Sequence, residues 1–133
     1  MASRVSIDDF VREIKAKFNK INILVNNAGV SALKDLTLNS EGIEMAMAVN
    51  HFGHFYLTSK LWDLLKHSEG LRIVNVSSRA HISNRMSSAG VNFDFDDLDG
   101  RKDYEKFRQY SRSKLANVLF TQELAERAAK INP

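Results

Sequence analysis

The chain has 133 residues, of which 44% are apolar and 26% are charged, and this is the composition of one globular domain rather than of a disordered segment. The net charge of +3 comes from 19 basic and 16 acidic residues mixed along the sequence, so the basic balance does not indicate nucleic-acid binding. The absence of cysteine excludes disulfides and mildly favours a reducing compartment. No signal core and no apolar run of about 20 residues is present. We therefore predict one domain over residues 1–133, cytoplasmic, with no nucleic-acid partner and no membrane span.

The N-terminal part of the chain predicts a helix followed by a short strand. Ser6 resembles an N-cap, Asp9 follows at capping-box spacing, and the apolar residues beyond recur with helical period. A short apolar run then covers residues 21–25. It ends in the polar tetrapeptide Asn26-Asn-Ala-Gly29, which is typical of the turn after a strand.

The remainder of the chain predicts two long helices, a second strand and a long irregular connection. The predicted elements are a helix over about 41–66 capped by Asn39 or Ser40, a strand over 71–76, an irregular segment over 79–106 and a helix over about 107–130. Irregular segments of that length within compact domains are usually functional or mobile.

The order of these elements predicts an α/β fold. Strand, long helix and strand form a βαβ unit, whose strands are parallel because the crossover is long. Both strands are almost continuously apolar, which favours covering on both faces, as in a doubly wound sheet. Ligands of such sheets bind at the carboxyl ends of the strands, where residues 26–29 and Ser77-Ser78 are expected to lie.

Tyr110 and Lys114 are the strongest candidates for catalysis. Four residues apart on a predicted helix, their side chains project from one face. A nearby ammonium stabilises a phenolate, and this can make a tyrosine that normally titrates near ~10 useful as an acid or base at neutral pH. By themselves, a tyrosine and a lysine at this spacing are more often solvated neighbours.

A metal site is not predicted. His51 and His54 are three residues apart on the long helix, but no cysteine or evident carboxylate completes a ligand set with them. The aromatic residues around them are expected to pack in the core or between helices.

Four segments in order resemble the short-chain dehydrogenase/reductase family: Asn26-Asn-Ala-Gly29, Val49-Asn50, Asn75-Val-Ser-Ser78 and Tyr110-Ser-Arg-Ser-Lys114. The contexts Val49-Asn-His-Phe-Gly-His-Phe-Tyr-Leu-Thr58 and Ser113-Lys-Leu-Ala-Asn-Val-Leu-Phe-Thr-Gln-Glu-Leu124 resemble its retinol dehydrogenase and WW-domain oxidoreductase branch, and so does the long gap between Ser78 and Tyr110, which carries Phe95-Asp-Asp-Leu98. The resemblance covers essentially the whole chain. It implies a partial Rossmann-like, doubly wound parallel sheet with about two strands and three long helices.

The resemblance also implies roles for individual residues. Tyr110 becomes the general acid/base, and Lys114 lowers its pKa and hydrogen-bonds the nicotinamide ribose. Ser78 binds the substrate oxygen, and Asn50 holds a water in the proton relay. The cofactor NAD(P)(H), with NADP slightly favoured by the branch, is bordered by residues 27–29, which are Asn27, Ala28 and Gly29, together with Tyr110 and Lys114.

The glycine pattern departs from the family. A dinucleotide pyrophosphate needs close backbone approach at a glycine-rich loop, but no two of the six glycines lie closer than ten positions. The family's Thr-Gly-x-x-x-Gly-x-Gly motif is therefore absent, together with its first three strands. We expect unpaired sheet edges, weak folding of this chain alone, and little or no turnover by it.

Two functions follow as hypotheses. The first is the catalytic middle of a nicotinamide-dependent oxidoreductase for lipophilic alcohols or ketones, such as retinoids or steroids. The second is a truncated, non-catalytic interaction module. In this family the long helix and the tyrosine-bearing helix commonly form a dimer interface, so the expected partner is a second copy or a full-length relative.

Overall fold

The computed structural model describes residues 1–82 and 91–131. The elements in chain order are α1 (Arg4–Lys17), β1 (Ile23–Asn26), α2 (Met45–Met47), a π-helical turn (Ala48–Phe52), α3 (Gly53–Leu65), β2 (Arg72–Asn75), a 3₁₀ turn (Arg79–His81) and α4 (Lys106–Ile131). Helix α2, the π-turn and α3 follow one another without a break and are together called the central helix. The predicted order of three long helices and two strands is confirmed, and residues 83–90 of the predicted irregular segment lie outside the described residues.

The two strands form a parallel pair in which Ile23 faces Arg72 and Asn26 faces Asn75. The connection between them is the central helix, which confirms the predicted βαβ unit. Register partners in a parallel pair project to the same face of the sheet. The carboxyl ends of both strands therefore present asparagine side chains side by side.

The hydrophobic core lies between α1, α3 and one face of the sheet. Its buried members come from the two helices: Ile7, Val11, Leu57, Leu61 and Leu65. Leu24 and Ile73, which share a sheet face, pack against this cluster. The helical spacing of the buried residues on α1 and α3 explains why these segments form amphipathic helices.

The opposite face of the sheet is open in the described part of the chain. Ile23, Val25 and Val74 are 66%, 56% and 47% exposed. The near-continuous apolar character of the strands predicted covering on both faces, but the described residues cover only one. The central helix and α4 both contact the sheet on the face of Asn26 and Asn75, through Thr58 and Thr121 respectively.

The N-terminal caps differ from the sequence prediction. Helix α1 begins at Arg4, and Ser3 rather than Ser6 is its N-cap. The central helix is capped by Glu44, whose carboxylate accepts from the backbone N–H groups of Ala46 (3.0 Å) and Met47 (2.9 Å). Asn39 instead accepts from backbone N–H groups within the preceding turn, so neither it nor Ser40 caps the helix.

The irregular segment before α4 is fastened to that helix by two buried side chains. Arg112 donates from Nε to the carbonyl of Asn92 at 2.8 Å and from Nη1 to that of Asp97 at 3.3 Å. Gln109 packs directly under Gly100, where any added Cβ would collide with the Gln109 amide and where φ is +66°. Glycine is therefore required at this turn. No helix of the described residues is long and apolar enough to cross a membrane.

Candidate functional site

The carboxyl ends of the two strands are joined by asparagine side chains. Asn26 Nδ2 donates to Asn75 Oδ1 at 2.7 Å and to Thr58 Oγ1 at 3.0 Å. This ties β1 to β2 and to the central helix, so Asn26 acts structurally through side-chain partners. The next three residues, 27–29, leave the sheet and are exposed.

Asn50 lies in the π-turn and is fully buried. Its Oδ1 accepts from the N–H of Val30 at 2.8 Å, and its Nδ2 donates to the carbonyl of Val30 at 3.0 Å and to Ser113 Oγ at 3.0 Å. The amide therefore holds the loop after β1 against α4. π-turns inside α-helices are rare and frequently mark functional sites.

Gly29, Asn50 and Lys114 converge beyond the strand ends. A Cβ at Gly29 would lie 3.2 Å from Asn50 Oδ1 and 3.7 Å from Lys114 Nζ. The lysine is only 5% exposed, and its Nζ donates to the carbonyl of Val76 at 3.4 Å. Burial lowers the pKa of Lys114 because the charged form loses hydration.

Tyr110 precedes Lys114 by one helical turn on α4. The Lys114 Nζ lies 5.7 Å from the centroid of the Tyr110 ring, a cation–π distance. The phenol is partly exposed, so one side of the pair faces solvent while the amine is enclosed. The ammonium therefore lies over the ring of Tyr110, one helical turn further along α4.

Ser78 stands just beyond β2, at the start of the 3₁₀ turn. Its Oγ accepts from the N–H of Ala80 at 3.2 Å and caps that turn, which packs on α4. This contact places the serine on the same side of the sheet as the tyrosine-bearing helix. The hydroxyl keeps its hydrogen free to donate, since capping uses it as an acceptor.

Three further residues of the site were missed by sequence reasoning. Ser77 Oγ donates to the carbonyl of Lys114, and Ser113 Oγ donates to that of Tyr110, each at 2.7 Å. Asn117 donates to the carbonyls of Asn50 and Val76. Residues 110, 113, 114 and 117 lie on one face of α4. This helical spacing was the sequence signal that could have identified Ser113 and Asn117.

The histidines of the central helix are engaged by hydrogen bonds. The Nδ1 of His51 contacts Asn117 Oδ1 at 3.2 Å, and the Nδ1 of His54 contacts the carbonyl of Asn50 at 3.0 Å. Within residues 1–82 and 91–131, no group of three or more histidine, aspartate or glutamate side chains is placed to hold a metal ion.

Sequence comparison finds a family and a set of relatives. Residues 1–90 match the family described as short chain dehydrogenase. The chain is 43% identical over 128 residues to retinol dehydrogenase 13 of Homo sapiens and 44% identical over 122 residues to retinol dehydrogenase 11 of the same species. These alignments cover 96% and 92% of this chain but 36% of each relative, so the chain spans little more than a third of their length.

Solved structures share the fold. A crystal structure of an uncharacterized protein from Mycobacterium paratuberculosis superposes with a TM-score of 0.77 at 35% identity, over 97% of this chain and 42% of that one. The NADP active-site complex of RhlG from Pseudomonas aeruginosa gives a TM-score of 0.68 at 24% identity, over 98% of this chain and 46% of that one. In both cases the arrangement of helices and strands described above corresponds to less than half of the larger protein.

Proposed function

Because the chain belongs to the short-chain dehydrogenase family, we propose that residues 1–133 form a partial domain carrying the proton-transfer centre of an NAD(P)(H)-dependent oxidoreductase. The proposed substrates are lipophilic alcohols or ketones of the retinoid or steroid type, in keeping with the retinol dehydrogenases that the chain resembles. The observation that carries the proposal is the convergence of Gly29, Asn50 and Lys114 next to Tyr110 beyond the strand ends.

Each side chain has a proposed task. Tyr110 exchanges a proton with the substrate oxygen, while the enclosed ammonium of Lys114 stabilises the phenolate form by its charge. Ser78 donates its free hydroxyl hydrogen to the same substrate oxygen. Asn50 holds the loop after β1 against α4, and in this proposal it also holds a water of the proton relay to Lys114.

The residues beyond β1 suit the nicotinamide end of the cofactor. Gly29 has no side chain to fill the space between Asn50 and Lys114, and the lysine ammonium is a donor suited to ribose hydroxyls. Asn27 and Ala28 would border the ring with exposed backbone. When bound, the cofactor supplies the hydride. NADP is slightly favoured over NAD on the strength of the resemblance alone.

The pyrophosphate end has no counterpart among these residues, since the six glycines are too widely spaced for a phosphate-binding loop. We therefore expect weak cofactor binding and slow or absent turnover by the 133-residue chain alone. Calorimetric titration with NADPH tests cofactor binding directly. Saturable binding supports the oxidoreductase, and the absence of any heat at millimolar cofactor contradicts it.

The Tyr110→Phe variant tests the proton-transfer centre. Loss of the phenol hydroxyl should lower whatever kcat the unsubstituted chain shows for retinol oxidation or retinal reduction by about 100-fold or more, the usual contribution of a general acid/base. Tyr104→Phe is the matched control, because the Tyr104 hydroxyl donates to the carbonyl of Leu33 in the loop after β1 and lies outside the proposed centre. Equal and measurable activity of the Tyr110 variant and the unsubstituted chain would remove Tyr110 from the mechanism.

A second candidate is a non-catalytic module that associates with a second copy or a full-length relative through its long helices. The observation favouring it is a groove of about 370 Å³ between the central helix and α4. Its lining includes Phe55, Phe95 and Leu119, which are 49%, 81% and 48% exposed. The Phe55→Ser variant should weaken association measured by sedimentation equilibrium if this candidate is right, and unchanged association argues against it.

A further inference from the structure

Asn117 occupies a central position on α4, three residues after Lys114, and its side chain is buried at 2% exposure. Its Nδ2 donates to the carbonyl of Asn50 at 2.9 Å and to that of Val76 at 3.1 Å. Carbonyls only accept hydrogen bonds, so these two partners fix which end of the amide carries nitrogen. Asn117 therefore bridges the π-turn to the end of β2 through both hydrogens of one NH₂ group.

The other end of the amide fixes a histidine tautomer. Asn117 Oδ1 lies 3.2 Å from His51 Nδ1, and because that oxygen only accepts, the hydrogen must be on Nδ1. His54 Nδ1 lies 3.0 Å from the Asn50 carbonyl, so it carries a hydrogen for the same reason. The Asn50 carbonyl thus receives donors from two side chains, one on the central helix and one on α4.

Lys114 shares one acceptor with Asn117. Its Nζ donates to the Val76 carbonyl at 3.4 Å, the same oxygen that Asn117 approaches at 3.1 Å. The ammonium and the NH₂ group, both positive at their hydrogens, therefore lie close together on one oxygen.

We propose that Asn117 is a positioning residue of the site, which holds the carbonyls of Asn50 and Val76 in place and thereby sets the location and environment of the Lys114 ammonium. The importance of Lys114 rests on the proposed function, but the network itself does not. Asn117 acts through Lys114 and the π-turn, and it has no proposed contact with substrate or cofactor.

Nitrogen-15 NMR of the unsubstituted chain provides the first test. Both His51 and His54 should show the Nδ1–H tautomer, whereas free neutral histidine favours the hydrogen on Nε2. Magic-angle-spinning spectra give the same shifts from an associated sample, so association does not prevent the measurement. Finding either ring in the Nε2–H tautomer would overturn the network.

The Asn117→Leu variant provides the second test, because leucine has similar volume and no hydrogen-bonding groups. His51 should lose its fixed tautomer. The pKa of Lys114, followed by its Nζ resonance, should rise, because the ammonium then no longer shares the Val76 carbonyl with a second donor. Gln122→Leu, which removes an exposed amide from the same helix, is the control and should change neither signal. Unchanged His51 and Lys114 signals in Asn117→Leu contradict the proposal.

The Asn117→Asp variant separates the two ends of the amide and serves if the leucine variant does not fold. A carboxylate keeps the acceptor for His51 but loses both donors, so the Nδ1–H of His51 should persist while the carbonyl carbon-13 resonances of Asn50 and Val76 shift. Unshifted carbonyl resonances of Asn50 and Val76 in this variant overturn the positioning role. None of these readouts requires cofactor or turnover, so failed cofactor binding would count against the proposed function alone.

Discussion

The imidazoles of His51 and His54 are enclosed between the central helix and α4, and their charged forms are poorly accommodated there. Burial is the main cause that lowers the pKa of each ring, and it outweighs the opposing hydrogen bonds to Asn117 and the Asn50 carbonyl. The nearby Lys114 ammonium lowers the pKa of His54 further. Both rings are therefore neutral in the folded chain near pH 7.

This burial predicts a loss of stability in mild acid. The unfolded chain binds protons at its histidines near pH 6.5, whereas the folded chain resists protonation until lower pH. The free energy of unfolding should therefore fall as pH decreases through 6.5 toward the folded-state pKa values. Urea unfolding at a series of pH values between about 7.5 and 5.5 measures this dependence.

Two variants test whether a buried histidine causes this pH dependence. His54→Gln should reduce the pH dependence of the unfolding free energy, because it removes one group that titrates differently in the two states. His67→Gln is the matched control, since His67 is exposed at the end of the central helix. Equal reductions in both variants, or none in either, would contradict the assignment to the buried ring.

At the scale of the elements, two glutamates determine where the long helices begin. Glu44 accepts from the first free N–H groups of the central helix with both carboxylate oxygens. Glu105 does the same for α4, accepting from Phe107 at 2.9 Å and Arg108 at 2.7 Å. The negative charge also favours the positive end of the helix dipole. Burial raises the pKa of Glu44, and the two N–H hydrogen bonds only partly offset that effect.

The Glu44→Ala variant should destabilise the chain by about 2 kcal/mol, because two buried N–H groups lose their acceptor. Thermal or urea unfolding followed by circular dichroism measures the change. Glu44→Gln keeps one acceptor oxygen and should lose less. Glu13→Ala, which removes an exposed carboxylate 3.9 Å from Lys17, is the control and should cost less than about 0.5 kcal/mol. Similar losses at positions 44 and 13 would contradict the capping role.

At the scale of the whole molecule, the open sheet face is the feature that most favours association with other chains. The three helices lie on one side, so Ile23, Val25 and Val74 present an apolar patch next to strand edges that are unpaired in the described residues. Unpaired edges and exposed apolar faces promote association with other chains. The chain alone is therefore expected to associate in a concentration-dependent way.

The double variant Val25→Thr, Val74→Thr tests this expectation. Threonine keeps the β-branched shape that suits a strand but makes the face more polar. The dissociation constant for self-association, measured by sedimentation equilibrium, should rise by roughly 10-fold. Val5→Thr on α1, at a site 71% exposed and away from the sheet, is the control. Association that responds equally to both changes would show that the sheet face is not the contact.

The sequence predicted the elements and their order because apolar periodicity is a local property. Helix α4 was expected over 107–130 and spans Lys106–Ile131, and the parallel pairing followed from the length of the crossover. The caps were missed because Ser6, Asn39 and Ser40 belong to the preferred cap residues, whereas Glu44 reaches its N–H groups only in the folded turn. The π-turn that carries Asn50 also had no recognised sequence signal.

By itself, the sequence determined which residue types are available for proton transfer and that they lie in the family's order, since motif and spacing are written along one chain. The tertiary structure alone decided which distant groups meet: Gly29 with Lys114, and Asn117 with the carbonyls of Asn50 and Val76. It also decided that one face of the sheet is covered and the other open. The physical reason is that every sequence carries the same backbone carbonyls, and any apolar strand presents a similar sheet face. Which groups contact them is decided by how the elements pack, and not by the local sequence.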